Sequence, residues 1–215
     1  MERHGFAMKI CAGKTAEFRH GLGEIWKELT EFLDTHNMRN FSIWNAENIV
    51  FGYYETNDVI VFTDKDRQKV AVWEQTYGHS YQWISTPFKE MRLMYHDFGI
   101  VRTSKELIRH RVFMTKLSEG MEEEYKARHD TLVMERGERV TEGPDSNFSI
   151  WNAGGYIFGY NEIDITMEHD KTEEERQADI KWETKMLEIM SWITNDVDWI
   201  TGECHESVKR LAWHI

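Results

Sequence analysis

Seven residues of this chain occur twice in identical order, about a hundred residues apart. Asn40–Ala46 reads NFSIWNA, and Asn147–Ala153 repeats it unchanged. At the same offset of 107 residues, Phe51-Gly52-Tyr53 is matched by Phe158-Gly159-Tyr160. Solenoid repeats are only about 20 to 50 residues long, so this repeat is too long to be one. The chain is therefore a tandem duplication, and each copy is predicted to form a small domain or half-domain.

The composition is that of a globular protein. Its 215 residues are 40% hydrophobic and 13% aromatic, which is enough for one large core or two modest ones. The formal net charge of −12 repels the phosphates of nucleic acid and the anionic surface of a membrane. We therefore expect neither nucleic acid nor a membrane as a partner.

The cysteines and the N-terminal residues favour a cytoplasmic enzyme or binding protein. Cys11 and Cys204 are the two cysteines, and neither lies in a C-x-x-C pair or beside a histidine cluster. No metal site, cofactor site or disulfide framework is expected from them. The first residues lack the apolar core of a signal peptide, and no apolar run approaches the roughly 18 residues of a membrane span.

Hydrophobic periodicity predicts the order β-α-β-β-α-β in each copy. The first copy is predicted to have a strand over 5–11, a helix over 15–36, a hairpin of 41–44 and 49–54, a helix from 63 or 64 to about 85, and a strand over 89–95. The second is predicted to have a strand over 112–117, a shorter helix from 118, a hairpin over 148–162, a helix from 172 and a strand near 208–213. Thr172 and Glu175 have the spacing of a capping box.

This order predicts an α+β fold of two tandem ferredoxin-like repeats. The repeats are assigned to residues 1–98 and 108–215, with 99–107 as the linker. Helices on one face of a four-stranded sheet leave the other face apolar, and a second copy is its usual cover. We expect the copies to form an internal pseudo-dimer, an intramolecular dimeric α/β barrel, with further homo-oligomers left open.

Two positions that are hydrophobic in the first copy carry polar side chains in the second. At the common offset, Phe18 corresponds to Tyr125 and Leu22 to His129. Tyr125 and His129 are four residues apart, so they lie on one helical face that elsewhere points into the core. A buried Tyr and His bonded to each other or to the backbone is one interpretation. The other is proton transfer, because the pKa of His is near neutral.

Trp83 and Trp192 occupy matching places near the predicted ends of the second helices. Packing at the rim of the core is the ordinary role of such a Trp. Stacking on the C–H face of a sugar ring is the functional alternative. Trp44 and Trp151, at identical hairpin positions, are predicted to be core residues. No glycine-rich loop follows a strand, so nucleotide binding has no support.

Together these residues resemble the L-rhamnose mutarotase family. In the second copy the resemblance rests on Glu124-Tyr125 with His129, Phe148–Trp151, Trp192 and Arg210–Trp213. In the first copy it rests on Glu17-Phe18, Ile25–Leu29, Phe41–Trp44, Trp83 and Arg92–Tyr95. The family's known members are similar to one repeat, form dimeric α/β barrels and interconvert the anomers of rhamnose without metal or cofactor.

The resemblance implies that His129 is the proton donor and that the hydroxyl of Tyr125 binds substrate, with Phe148 and Trp192 also at the sugar. The hairpin Tyr of the family is Phe148 here, and its Trp-Trp pair reads Ser191-Trp192. The implied function is that of an aldose mutarotase for L-rhamnose or a related sugar, in which His-mediated acid–base catalysis opens the ring.

Three alternatives stay open at this point. The same barrel hosts cofactor-free monooxygenases and haem-degrading enzymes. A non-catalytic sugar-binding module would suit the missing hydroxyls of Phe18, Phe41 and Phe148. A second pocket in the first repeat would contain His20, Phe41 and Trp83, although a regular helix turns His20 away from the apolar face.

Overall fold

The computed structural model describes residues 1–194 and 208–215, so Cys204 lies outside the described residues. The helices are α1 (Thr15–Thr35), α2 (Asp64–Tyr77), α3 (Glu122–Arg136) and α4 (Glu173–Leu187). The strands are β1 (Glu2–Ile10), β2 (Arg39–Ala46), β3 (Ile49–Thr56), β4 (Tyr81–Trp83), β5 (Arg92–Asp97), β6 (Ile108–Leu117), β7 (Asp145–Ala153), β8 (Tyr156–Asp164), β9 (Met190–Thr194) and β10 (Lys209–His214).

These elements form two antiparallel sheets of five strands each. Their orders are β10-β2-β3-β1-β4 and β5-β7-β8-β6-β9. Four strands of each sheet come from one repeat. Together with the two helices of that repeat they make the ferredoxin-like arrangement. The predicted α+β fold class of two tandem ferredoxin-like repeats is confirmed.

The fifth strand of each sheet comes from the other repeat. β5 is the last strand of the first repeat but pairs with β7, whereas β10 is the last strand of the second repeat and pairs with β2. The compact units are accordingly Met1–Met91 with Lys209–Ile215, called the first unit, and Arg92–Val208, called the second unit. These bounds differ from those of the sequence repeats. Sheet-to-sheet packing of the repeats as a barrel stays a prediction.

The fourth ferredoxin strand of each repeat lies where the sequence pattern predicted the end of a helix. α2 ends at Tyr77 and not near residue 85, and β4 then pairs with β1. β9 pairs with β6 in the same way. The helix prediction was wrong here because a strand of three residues is too short to show an alternating pattern.

Local sequence signals explain the remaining helix boundaries. Thr63 caps α2 through a capping box with Asp66, and Thr172 caps α4 through a capping box with Glu175. α3 has 15 residues against 21 in α1, and Gly137 follows it with a φ of +60°. The predictions of the Thr172 cap and of a shorter helix in the second copy are confirmed.

The repeated NFSIWNA motif encodes a bulge at the start of the hairpin. Asn40 and Asn147 have positive φ values of 49° and 54°, a backbone region in which Asn is tolerated better than most residues. The register of each hairpin shifts at this point, between Arg39 and Ser42 in the first sheet. The amide of Asn147 donates to Glu162 at 3.2 Å, which fixes the turned backbone. The Phe that follows each Asn is thereby positioned by the bulge.

The repeated glycine of the hairpin makes room for an aromatic ring. Gly159 pairs with Phe113, and a Cβ on Gly159 would lie 2.0 Å from the ring of Phe113. Gly52 and Phe6 are arranged identically, with a corresponding distance of 1.9 Å. Any side chain at these glycines would displace the ring, which in the second unit forms part of the candidate site.

Candidate active site

The candidate site lies in the second unit, where α3 packs on its sheet. Tyr125 is 2% exposed and His129 is 4% exposed, so both side chains face the core as their spacing predicted. Their rings stack with centroids 4.4 Å apart. Tyr125 belongs to an apolar cluster with Met94, Phe113 and other residues of this unit. A histidine is therefore held against hydrocarbon and aromatic rings.

One hydrogen bond determines which nitrogen of His129 carries the proton. Nδ1 lies 3.0 Å from the backbone carbonyl oxygen of Tyr125. A carbonyl oxygen only accepts, so Nδ1 donates, and the neutral ring has its lone pair on Nε2. Within residues 1–194 and 208–215 the structure gives Nε2 no hydrogen-bond partner. Nε2 is thus the atom that can accept a proton from a bound molecule.

Burial determines the charge of this ring. Removal from water lowers the pKa of His129 from 6.5 to about 4, and the bond to Tyr125 and the charge of Asp130 oppose this only in part. His129 is therefore neutral at pH 7. Burial also raises the pKa of Tyr125, so its phenol keeps its proton.

Aromatic side chains from five other elements lie against His129 or next to the rings that contact it. Tyr95 of β5 lies 5.3 Å away and Trp182 of α4 lies 5.1 Å away, between ring centroids. Phe148 of β7 packs edge-on against Tyr95 at 5.5 Å. Phe113 contacts both Phe148 and Trp192. The structure thus places Tyr125, His129, Phe148 and Trp192 in one neighbourhood of this unit.

Trp192 is held by a buried carboxylate. Its indole Nε1 donates to Oε1 of Glu183 at 2.5 Å, and Glu183 is buried on α4. Trp83 donates to Glu74 at 2.6 Å in the first unit, with the same spacing of nine residues. Sequence inspection singled out the two tryptophans but missed their glutamates. The shared spacing was the signal that could have identified them.

Tyr95 is a site residue that the sequence did not single out, because its strand ends the first repeat but lies in the sheet of the second unit. The Arg-Leu-x-aromatic pattern common to Arg92–Tyr95 and Arg210–Trp213 would align Tyr95 with Trp213. The sheets show a different correspondence, because Tyr95 pairs with Ile150 whereas Ala212 pairs with the equivalent Ile43. Tyr95 therefore corresponds to Ala212. The first unit lacks this phenol, in addition to the phenol of Tyr125 and the imidazole of His129.

An ion pair anchors β5 beside the site. Arg136, at the end of α3, lies 2.9 Å from Asp97, and its guanidinium is 6.0 Å from the ring centroid of Tyr95. Thr141 donates to the same carboxylate oxygen at 2.7 Å. Burial raises the pKa of Tyr95, so its hydroxyl is also protonated at neutral pH. The site therefore offers two phenols and one imidazole.

The first unit has an apolar cavity at the corresponding place. It has a volume of about 230 Å³, and its lining includes Phe18, Leu22, Phe41 and Trp83. His20, included in the predicted second pocket, does not line this cavity and is exposed on α1. α1 is continuous through its glycines, so His20 lies away from the apolar side of the helix.

Both repeats match one protein family. A family model described as L-rhamnose mutarotase matches residues 3–95 and 110–210. The chain belongs to the L-rhamnose mutarotase family. An L-rhamnose mutarotase from Oceanobacillus iheyensis is 37% identical over 60 residues, which are 27% of this chain and 58% of that relative. The match thus spans little more than half of the relative's length. No solved structure gives a significant match.

Two further observations concern only the part of the chain that the structure describes. No helix in it is both long and apolar enough to cross a membrane. No three side chains of His, Cys, Asp or Glu in it are arranged as ligands for one metal ion.

Proposed function

We propose that the second unit is an aldose mutarotase site that interconverts the α and β anomers of L-rhamnose or a related sugar. The observation that carries the proposal is His129, which has a fixed tautomer and an available Nε2 beside two phenols, in a chain of the L-rhamnose mutarotase family. Trp192 and Phe148 provide apolar surface for the C–H face of a sugar ring.

Mutarotation requires one proton to leave and one to arrive. In the first step Nε2 of His129 takes the proton of the anomeric hydroxyl, the C1–O5 bond breaks, and C1 becomes a carbonyl. The ring oxygen O5 takes the proton that His129 carried. Rotation about the C1–C2 bond and the reverse steps then close the ring on the other face of the carbonyl. Acid–base catalysis of this kind accelerates a reaction by about 10² to 10⁴.

The neutral state of His129 determines the order of these steps. With a pKa of about 4, the imidazole begins the cycle without a proton on Nε2. It must therefore act first as the base, and it becomes the proton donor only after it has taken the anomeric proton. The family resemblance names His129 as the donor, which in this order is its second role. The phenols of Tyr95 and Tyr125 keep their protons and serve as hydrogen-bond donors to sugar oxygens.

The first unit does not offer this chemistry. Phe18, Leu22 and Ala212 occupy the places of Tyr125, His129 and Tyr95. None of them can move a proton, and a buried sugar hydroxyl left unpaired costs about 1 to 3 kcal/mol. We therefore assign one catalytic site to each chain.

Saturation-transfer NMR on the two anomeric protons of L-rhamnose tests the proposal. The unmodified protein is expected to accelerate exchange, His129→Gln to abolish the acceleration, and Tyr125→Phe to reduce it less. His20→Gln is the matched control, because this histidine is exposed on the first helix of the other repeat. Full activity in His129→Gln, or a large loss in His20→Gln, would contradict the assignment.

A further inference from the structure

The apolar cavity of the first unit is bounded by α1, α2, the sheet and residues 86–90. The middle of the apolar face of α1 lines it through Leu22, Ile25 and Leu29, which are only half-buried. Phe18 and Phe32, nearer the two ends of the same face, are buried. The middle of this face therefore keeps hydrocarbon surface at the cavity that no other side chain covers completely.

The α2 side of the cavity is apolar where the second unit has an ion pair. The capping boxes align α2 with α4, so Phe62 corresponds to Lys171 and Val70 to Asp179. Lys171 and Asp179 form an ion pair in the second unit. Phe62 and Val70 line the cavity of the first. The duplication thus supplies an internal reference for the polarity of this wall.

The α1 side of the cavity differs from its counterpart in the same direction. α1 and α3 align from their first residues, so Leu22 corresponds to His129 and Leu29 to Arg136. Arg136 pairs with Asp97 in the second unit, whereas Leu29 lines the cavity in the first. The two copies therefore build equivalent walls from side chains of opposite polarity, and the wall of the first copy suits an apolar molecule.

Residues 86–90 form the solvent side of the cavity with a strained backbone. Phe88 lines the cavity, is 40% exposed and has a φ of 56°, a left-handed conformation that is rare for a bulky residue. Its ring packs edge-on against Phe62 with centroids 5.0 Å apart, and the guanidinium carbon of Arg67 lies 5.1 Å from its centroid. Strain of this kind persists only where the surroundings enforce it, and it is concentrated at functional sites such as ligand clamps.

Two phenols in the lining can meet one polar group of a ligand. Tyr54 lies on β3 and Tyr81 on β4, and within residues 1–194 and 208–215 neither hydroxyl has a hydrogen-bond partner. Burial raises the pKa of Tyr81 to about 12 and raises the pKa of Tyr54 as well, so both phenols keep their protons at neutral pH. An uncharged hydroxyl or ring N–H of a ligand can pair with either of them.

We propose that this cavity binds a small uncharged ring compound that is apolar apart from one hydroxyl or ring N–H. A cavity of about 150 Å³ is enough for benzene. The volume of about 230 Å³ therefore suits a substituted ring or two fused rings, such as p-cresol or indole. The hydroxyls of a sugar would be left unpaired against the hydrocarbon of this wall, and a charged group would lose its water there.

NMR titration with four probes tests the ligand class and the location. p-Cresol and indole fit the cavity, whereas benzoate adds a charge and L-rhamnose lacks the apolar ring. The first two are expected to bind about tenfold more tightly than benzoate, and their ring protons should show contacts with the methyl groups of Leu22, Leu29 and Val70. Equal binding of benzoate would overturn the ligand class. Ring contacts with the methyl groups of Ile150 and Ile157 alone, in the second unit, would overturn the location.

The second unit provides the decisive variant. Phe62→Lys with Val70→Asp transfers its ion pair to the cavity wall and should weaken binding of p-cresol about tenfold. Val70→Phe, which fills the cavity and stays apolar, should weaken binding as well. Val72→Asp is the matched control, because Val72 is exposed on the same helix and does not line the cavity.

Unchanged affinity in both cavity variants, or an equal loss in Val72→Asp, would refute the site. The ring contacts in the unmodified protein provide a test that does not depend on the folding of any variant. Anomer exchange of L-rhamnose, measured in the same proteins, should stay constant, because none of the changed residues belongs to the second unit.

Discussion

Acidification should destabilise the second unit through His129. Burial lowers the pKa of this group from 6.5 to about 4. Between these values the unfolded chain binds a proton that the folded chain does not bind. The free energy of unfolding therefore falls as the pH falls through this window, and the contribution of neutral His129 is fully present above pH 6.5.

The size of the effect follows from the shift in pKa. A lowering from 6.5 to about 4 corresponds to about 3 kcal/mol over the whole window. The part lost between pH 7 and pH 5 is about 2 kcal/mol. Other groups titrate in the same range, so the quantity to measure is the difference between the unmodified protein and His129→Phe. That variant keeps an aromatic ring and removes the proton.

Hydrogen exchange of the α3 amides reports the local free energy of unfolding, and ¹³C NMR of the His129 ring reports its pKa. The unmodified protein should lose about 2 kcal/mol more than His129→Phe between pH 7 and pH 5. His20→Phe, which removes an exposed histidine, should behave as the unmodified protein does. Equal losses in the unmodified protein and His129→Phe, or an NMR midpoint near 6.5, would refute the reasoning that burial controls this histidine.

Three other predictions concern the neighbours of the site and the exchanged strands. Tyr95→Phe should slow anomer exchange about tenfold, since the sugar loses one hydrogen bond, while Ala212→Tyr in the first unit should leave the rate unchanged; saturation-transfer NMR measures both. Trp192→Phe should cost about 1 to 3 kcal/mol, because the buried carboxylate of Glu183 loses its indole donor, and thermal unfolding should show a smaller cost for Trp83→Phe, whose partner Glu74 is less buried. Removing residues 208–215 should raise amide exchange in Arg39–Ala46 and leave Asp145–Ala153 protected; equal changes in both strands would contradict the assignment of β10 to the first sheet.

Most of the fold was predictable because its signals are local. The apolar stripe of α1, the capping boxes and the repeated hairpin depend on residues a few positions apart, and the structure follows them. Strand exchange was not predictable. β5 pairs with β7 across some fifty residues, and no local pattern distinguishes that partner from β2.

The candidate site was predictable to the same extent. Tyr125 and His129 follow from spacing on one helix. Tyr95 reaches the site only through the exchanged strand. Its position in the sheet aligns it with Ala212, whereas the shared Arg-Leu pattern would align it with Trp213. The pKa of His129 depends on burial by α4 and the sheet, which sequence periodicity does not measure.

The exchanged strand also determines how late in translation the first sheet can be completed. β2 is made roughly 160 residues before β10, its partner at that edge of the sheet. At about 5 to 20 residues per second, β2 has an open edge for about 10 to 30 seconds while the ribosome completes the chain. An open strand edge is a template for pairing with other chains. The yield of correctly folded protein should therefore depend more on the spacing of ribosomes along the messenger RNA and on chaperone supply than the completed fold would suggest.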